Sequence, residues 1–193
     1  MRNIKVTAFN CSPRPNGNTS MIIEEAFKTL EKAGIETRMV QVGRMKLSGC
    51  RACYKCRENA DGHCVLDDGC NDLLDIMYAS DGILLGSPTY FADVTAECKA
   101  LIDRAGYVSM ANGGLLKRKV GAPVIAVRRG GQIHAFETIV NFMYINQMVI
   151  PGSCYWNMGI GRNPGDVLED EEGLRTMRVL GENMAWLLKR VND

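Results

Sequence analysis

No apolar run in this chain approaches the roughly 20 residues that a bilayer-spanning helix needs, so a membrane protein is not expected. Neither sign of charge is in excess: 23 Lys+Arg face 22 Asp+Glu, a formal net charge of +1. That balance gives no electrostatic footprint for nucleic acid or for an anionic lipid surface. Met1-Arg2-Asn3-Ile4-Lys5 leads into a short apolar run with charge inside it. It lacks the long apolar stretch and small-residue cleavage site of a secretory signal. A soluble protein of the cytoplasm is the expectation. Also absent are Gly-x-Gly-x-x-Gly and any Gly-Lys-Ser/Thr, so neither a dinucleotide fingerprint nor a triphosphate cradle is written here.

What the chain does carry is cysteine, eight in 193 residues that are 46% hydrophobic. The length suits one α/β domain spanning 1–193 and is short for two. In a small secreted chain these cysteines would read as disulfides. In a chain expected in the cytoplasm, their clustering points to metal or redox chemistry. Cys50, Cys53, Cys56 and Cys64 crowd together, Cys70 follows, and Cys11, Cys98 and Cys154 are scattered.

The apolar pattern predicts five strands, at 4–9, 36–42, 82–86, 120–127 and 148–151. Helices are expected at about 19–33, 94–104, 135–146 and 169–190, with a further one capped by Asp67 or Asp68 and running through Tyr78. Such alternation implies a parallel sheet with helices on both faces, and right-handed crossovers leave few topologies. The expected fold is a doubly wound five-stranded parallel sheet, order 2-1-3-4-5, with a cysteine-rich insertion (47–67) after strand 2. Ligands of such sheets bind beyond the carboxyl ends of the strands, at the loops after strands 1, 3 and 4.

The loop after strand 1 contains Ser12, Arg14, Asn18, Thr19 and Ser20 at a helix N-terminus, a place suited to one terminal phosphate. An ordinary polar loop with a Ser/Thr cap would look the same. The loop after strand 3 carries Pro88, Thr89, Tyr90 and Phe91. Its aromatics can lie against a planar ring or pack beneath the following helix, and on the residues alone Phe91 is expected to pack. After strand 4 come Arg128, Arg129, Gly130 and Gly131, where glycine lets the backbone approach a ligand.

Together these loops resemble the flavodoxin-like NAD(P)H-dependent FMN reductase superfamily, and in particular its iron–sulfur flavoprotein branch. The carrying motifs are Ser12-Pro13-Arg14 with Gly17-Asn18-Thr19-Ser20, Gly86-Ser87-Pro88-Thr89-Tyr90-Phe91, the run Lys99 to Arg104, and Arg129-Gly130-Gly131-Gln132. The resemblance covers nearly the whole chain. It implies that Ser12, Arg14, Asn18, Thr19 and Ser20 hold the FMN phosphate. It places Pro88, Thr89, Tyr90, Phe91, Gly130 and Gly131 along the flavin ring. It also implies a homodimer or homotetramer, in which the cluster of one subunit approaches the FMN of another.

Cys50-x2-Cys53-x2-Cys56-x7-Cys64 is the sharpest pattern in the sequence. Three thiolates at this spacing can wrap one face of a cubane, leaving its last corner to a later ligand. It matches the compact motif of iron–sulfur flavoproteins, so a [4Fe–4S] cluster is the expected occupant. Structural zinc, a Cys53–Cys56 thiol–disulfide couple and uncoordinated thiols stay open. His63 reads as a loop residue, His134 as a cap or surface group, and Cys70 as unligated. The expected activity is flavin-dependent oxidoreduction that passes electrons between the cluster and FMN, from a ferredoxin-like donor. NAD(P)H-dependent FMN or quinone reduction without a working cluster is the alternative. The segment from Gly152 to Gly165, with Tyr155 and Trp156, is expected to pack between subunits or to cover a neighbouring flavin.

Overall fold

A computed structural model describes residues 3–192. Strand β1 (Lys5–Asn10) leads to helix α1 (Asn18–Lys32) and strand β2 (Glu36–Gln41). The cysteine-rich segment follows, with a short helix α2 (Lys55–Asn59), before helix α3 (Cys70–Ala79). Then come β3 (Gly82–Pro88), α4 (Ala96–Ala111), β4 (Val120–Val127) and α5 (Gln132–Ile145). Strand β5 (Met158–Ile160), a 3-10 turn (Asp166–Glu169) and α6 (Glu171–Asn192) complete the order.

The five strands form one parallel sheet in the order β2-β1-β3-β4-β5, as the sequence predicts. Register aligns the functional edge. Asn10 lies opposite Gln41 on one side and Gly86 on the other, and Pro88 lies opposite Ala126. The loops after β1, β2, β3 and β4 therefore leave from a common edge.

Alternation along the buried strands feeds two cores. Ile83 and Leu85 face Leu74, Met77, Leu101, Ile139 and Phe142 of α3, α4 and α5. Leu84 faces Ile22, Ile23 and Leu30 of α1 with Leu180, Met184 and Leu188 of α6. Each fully buried Leu or Ile of this kind contributes about 1.5–3 kcal/mol relative to exposure.

Two local expectations fail, and one further element has no sequence signal. The apolar run 148–151 is not a strand: Val149 makes only an isolated bridge to Val120, and Pro151 lacks the donor a ladder needs. The chain instead loops outward and returns as β5, three residues paired with Ile125–Val127. Helix α3 starts one residue later than an Asp68 cap would place it, behind Gly69 in left-handed backbone (φ 80). Asp68 still accepts the Cys70 N–H, at 3.3 Å. Helix α2, bounded by left-handed Tyr54 and Ala60, is an element the periodicity does not show.

Candidate functional site

The turn after β1 is set by a side-chain frame. Asn10 Oδ1 accepts the Ser12 N–H at 3.1 Å, and its Nδ2 donates to Gln41 Oε1 at 3.0 Å. Gln41 Nε2 in turn donates to the Ser12 carbonyl at 2.6 Å. The end of β2 presses on the same place, since a Cβ on Gly43 would stand 2.2 Å from that carbonyl. Helix α1 then starts at an extended Gly17 with no capping side chain. Helix geometry leaves the N–H groups of its first turn without intrahelical partners, which favours an anion there.

The five residues implied for the phosphate divide in this geometry. Ser20 Oγ donates inward to the Gly17 carbonyl at 2.8 Å. Asn18 Oδ1 accepts the Gly165 N–H at 2.9 Å, pinning the loop that precedes α6. These two hold the frame. Ser12 accepts the Arg14 N–H at 3.1 Å and keeps its hydroxyl proton. Thr19 is buried and Arg14 is exposed beside the turn.

At the end of β3 the Thr89 N–H donates to the Ala126 carbonyl at 2.8 Å, and Tyr90 and Asp93 exchange backbone hydrogen bonds. Between them Phe91 and Ala92 take left-handed backbone, φ 47 and 63. Such values are uncommon outside glycine and mark stored strain. The turn projects Phe91 into solvent at 107% exposure, so the packing beneath α4 that its sequence suggested does not occur. Tyr90 is half-exposed. Asp93 accepts the Thr138 hydroxyl at 2.8 Å, tying this loop to α5. Thr95 caps α4 and donates its hydroxyl to the Cys11 carbonyl at 2.9 Å, tying the same loop to the turn after β1. Gly131, at φ 87, closes against Ala92 from the β4 loop, while Gly130 is open to solvent.

Two buried atoms beside this edge, Thr89 Oγ1 and Gln132 Oε1, have no hydrogen-bond partner among the described residues. Buried polar atoms are nearly always paired, so both are groups that a ligand's polar edge would satisfy. Gln132 closes the Arg129-Gly130-Gly131-Gln132 motif, yet it was not singled out from sequence. Its type and its place at the first position of α5 were the available signal.

The cysteine segment lies elsewhere. Cys50, Cys53, Cys56 and Cys64 line one small pocket with Arg51, Tyr54, Val65, Leu66, Arg104, Tyr107 and Val108. Cys50 and Cys53 are exposed, Cys64 is intermediate and Cys56 is buried. Burial raises the Cys56 thiol above its ordinary pKa, and the neighbouring Cys64 and Cys50 add to the rise. Among the described residues no three His, Cys, Asp or Glu converge closely enough to hold one metal ion. Cys70 is fully buried, and burial pushes its thiol up to about 11. His63 pairs with Asp75 at 2.8 Å on the surface, and His134 is exposed at the start of α5.

Both ends of this segment converge on one ion pair. Arg104 of α4 donates from Nη1 to both Asp68 oxygens at 2.7 Å and to the Ser48 carbonyl at 3.3 Å. Its Nη2 donates to the Leu66 carbonyl at 3.1 Å. Asp68 also accepts the Ser48 N–H at 2.8 Å. Burial alone would raise the Asp68 pKa, but Arg104 and the two backbone donors hold it below the ordinary value of 3.8. Arg104 lies eight residues into α4, about 12 Å along the helix from the loop that carries Phe91. The cysteine pocket thus packs against the flank of α4 rather than at the sheet edge where the other loops meet.

Comparison with known proteins bears on both regions. The NADPH-dependent FMN reductase family matches residues 4–163. The chain belongs to that family. Among the relatives of this FMN reductase family member is an iron–sulfur flavoprotein of Methanocaldococcus jannaschii, 37% identical over 97% of this chain and 99% of the relative. Another, an iron–sulfur flavoprotein of Methanosarcina thermophila, is 32% identical, with 97% of each chain covered. The fold matches that of a WrbA-like flavodoxin from Agrobacterium tumefaciens (TM-score 0.68, 15% identity, 98% of this chain and 99% of the other). An archaeal flavodoxin matches at TM-score 0.63 (16% identity, 96% and 99% covered). The protein is an FMN-binding, flavin-dependent oxidoreductase with a flavodoxin-like fold. Among its described residues no helix is long and apolar enough to cross a membrane.

Proposed function

We propose that this FMN oxidoreductase is an iron–sulfur flavoprotein that passes electrons between FMN and a [4Fe–4S] cluster held by Cys50, Cys53, Cys56 and Cys64. The observation that carries the reading is the gathering of all four motif cysteines around one pocket that also contains the Arg104 side chain. Soft thiolate donors select iron–sulfur or zinc over hard cations. A cubane takes each thiolate on a different iron, so its ligands need not meet at one point as zinc ligands must. The buried guanidinium offsets the negative charge that four thiolates bring. The two relatives named above as iron–sulfur flavoproteins support the same reading.

In this reading the N–H groups opening α1, with Ser12, Arg14 and Thr19, hold the FMN phosphate, and Asn18 and Ser20 hold the turn that presents them. Pro88, Thr89, Tyr90, Phe91, Gly130 and Gly131 border the ring, joined by Gln132. The unpartnered Thr89 and Gln132 oxygens suit the polar edge of an isoalloxazine, which offers an N–H. FMN supplies the exchange between two-electron and one-electron chemistry, and the protein's part is to hold and orient. The placement of the cysteine pocket on the α4 flank favours transfer between subunits of a homodimer or homotetramer. NAD(P)H is a candidate reductant and a ferredoxin-like protein a candidate donor.

Anaerobic purification followed by iron, sulfide and FMN analysis tests the reading. The expected result is about four irons and four sulfides for each FMN. Protein that binds FMN but holds neither iron nor sulfide would leave the alternative, an NAD(P)H-dependent FMN or quinone reductase.

A further inference from the structure

Arg104 heads the fully buried side chains by size, at 1% exposure. A buried cation is tolerated only when its donors are met. Nη1 and Nη2 are met by Asp68, Ser48 and Leu66. Nε is not: it is buried and has no hydrogen-bond partner among the described residues. An unmet donor on a charged group costs more than on a neutral one. The same side chain lines the pocket of Cys50, Cys53, Cys56 and Cys64. The chemistry that would satisfy an orphaned guanidinium N–H among thiols is an anionic sulfur.

We propose that Arg104 is a positioning residue of the cysteine site: its terminal nitrogens fix both ends of the segment, and its Nε–H donates to a sulfur of the cluster. The inference rests on the iron–sulfur reading given above. Hydrogen bonds to the sulfurs and nearby charge both set a cluster's potential. A donated N–H and a fixed positive charge favour the more negative, reduced state. Lysine keeps the charge but loses the planar fork and Nε.

The test uses anaerobically purified, cluster-loaded protein carrying arginine labelled with nitrogen-15 at Nε. Pulsed electron paramagnetic resonance of the reduced cluster is expected to show coupling to a labelled nitrogen and to an exchangeable proton. That coupling should persist in Arg51→Lys, because Arg51 also lines the pocket. Redox titration of Arg104→Lys should show the ratio of reduced to oxidised cluster falling about tenfold at a fixed ambient potential, which is about 59 mV for one electron. The FMN potential should not move. Absence of the coupling in loaded wild-type protein, or its loss in Arg51→Lys, overturns the assignment of Nε alone. So does an unchanged cluster potential in a fully loaded Arg104→Lys. If that variant does not fold, the wild-type coupling decides. Wild-type protein without iron and sulfide overturns the iron–sulfur reading itself, and this inference with it.

Discussion

A Cβ placed on Gly131 would stand 2.7 Å from the Cα of Ala92, so the loops after β4 and β3 meet backbone to backbone. Gly131 is also in left-handed backbone, where a side chain is strained. Gly131→Ala should destabilise the protein by about 1–3 kcal/mol and weaken FMN binding about tenfold or more. Gly130→Ala, with no protein atom within 4 Å of its Cβ, should leave stability unchanged and affect only FMN binding. Thermal denaturation and FMN fluorescence titration of the two variants check this pair. Equal behaviour would show that the contact does not shape the ring site.

Phe91 makes the opposite prediction. Its ring is exposed, so Phe91→Ala should leave stability within about 0.5 kcal/mol. In the proposed ring site its loss should cost about 0.5–1.5 kcal/mol of binding, a few-fold to tenfold rise in the FMN dissociation constant. An unchanged constant would take Phe91 out of the ring site.

Acid should weaken the fold through two depressed carboxylates. Burial would raise Glu25, but hydrogen bonds from Lys28 and Arg178 hold it below its ordinary 4.5, and Asp68 is held below 3.8. The unfolded chain therefore binds protons that the folded one resists. Stability is fully present above about pH 4.5, the ordinary Glu25 value, and is lost as the pH falls through the lowered folded values. Urea unfolding between neutral and acid pH should show this slope, and it should flatten in Asp68→Asn combined with Glu25→Gln. Asp68→Ala leaves Arg104 unpaired and should cost about 3–5 kcal/mol at neutral pH.

Thiol reactivity separates the cysteines. In metal-free protein, Cys50, Cys53 and Cys154 are exposed and should alkylate first. Cys11, Cys70 and Cys98 are buried, and burial raises the Cys11 and Cys70 thiols, the latter to about 11. These should stay unmodified until the chain unfolds. Loading with iron and sulfide should protect Cys50 and Cys53 but not Cys154. Peptide mass mapping reads the outcome. Reaction of Cys50 and Cys53 at unchanged rates in loaded protein would remove them as ligands.

The parts of the fold that were legible have one physical signal acting alone. Strand β4 matches its predicted 120–127 span because all its residues are buried and its apolar run is continuous. Strand β5 was not legible: three residues in a glycine-rich stretch carry too little pattern, and the more apolar 148–151 run outbid them. At the site, the proposed phosphate turn rests on loop chemistry, since Ser12 and Thr19 stand out by type and position. Phe91 misled because nothing in its sequence shows left-handed backbone. Arg104 stands within one of the carrying motifs, but the sequence does not show its role. A charged residue between Ile102 and Ala105 reads as solvated, and only the partner Asp68, 36 positions away, shows that it is buried.

The tie between Ser48, Asp68 and Arg104 has a further consequence. The stretch that carries all four motif cysteines begins and ends at a single carboxylate, clamped by one side chain from α4. Such a stretch behaves as a cassette. Its other ties run largely to the same helix: Asn112 donates to the Cys56 carbonyl at 3.2 Å and accepts the Gly62 N–H at 3.0 Å, and Tyr54 meets Tyr107 edge-on. The segment thus leans on one side of α4, while the loops along the carboxyl edge of the strands are held by Asn10, Gln41 and Thr95 instead.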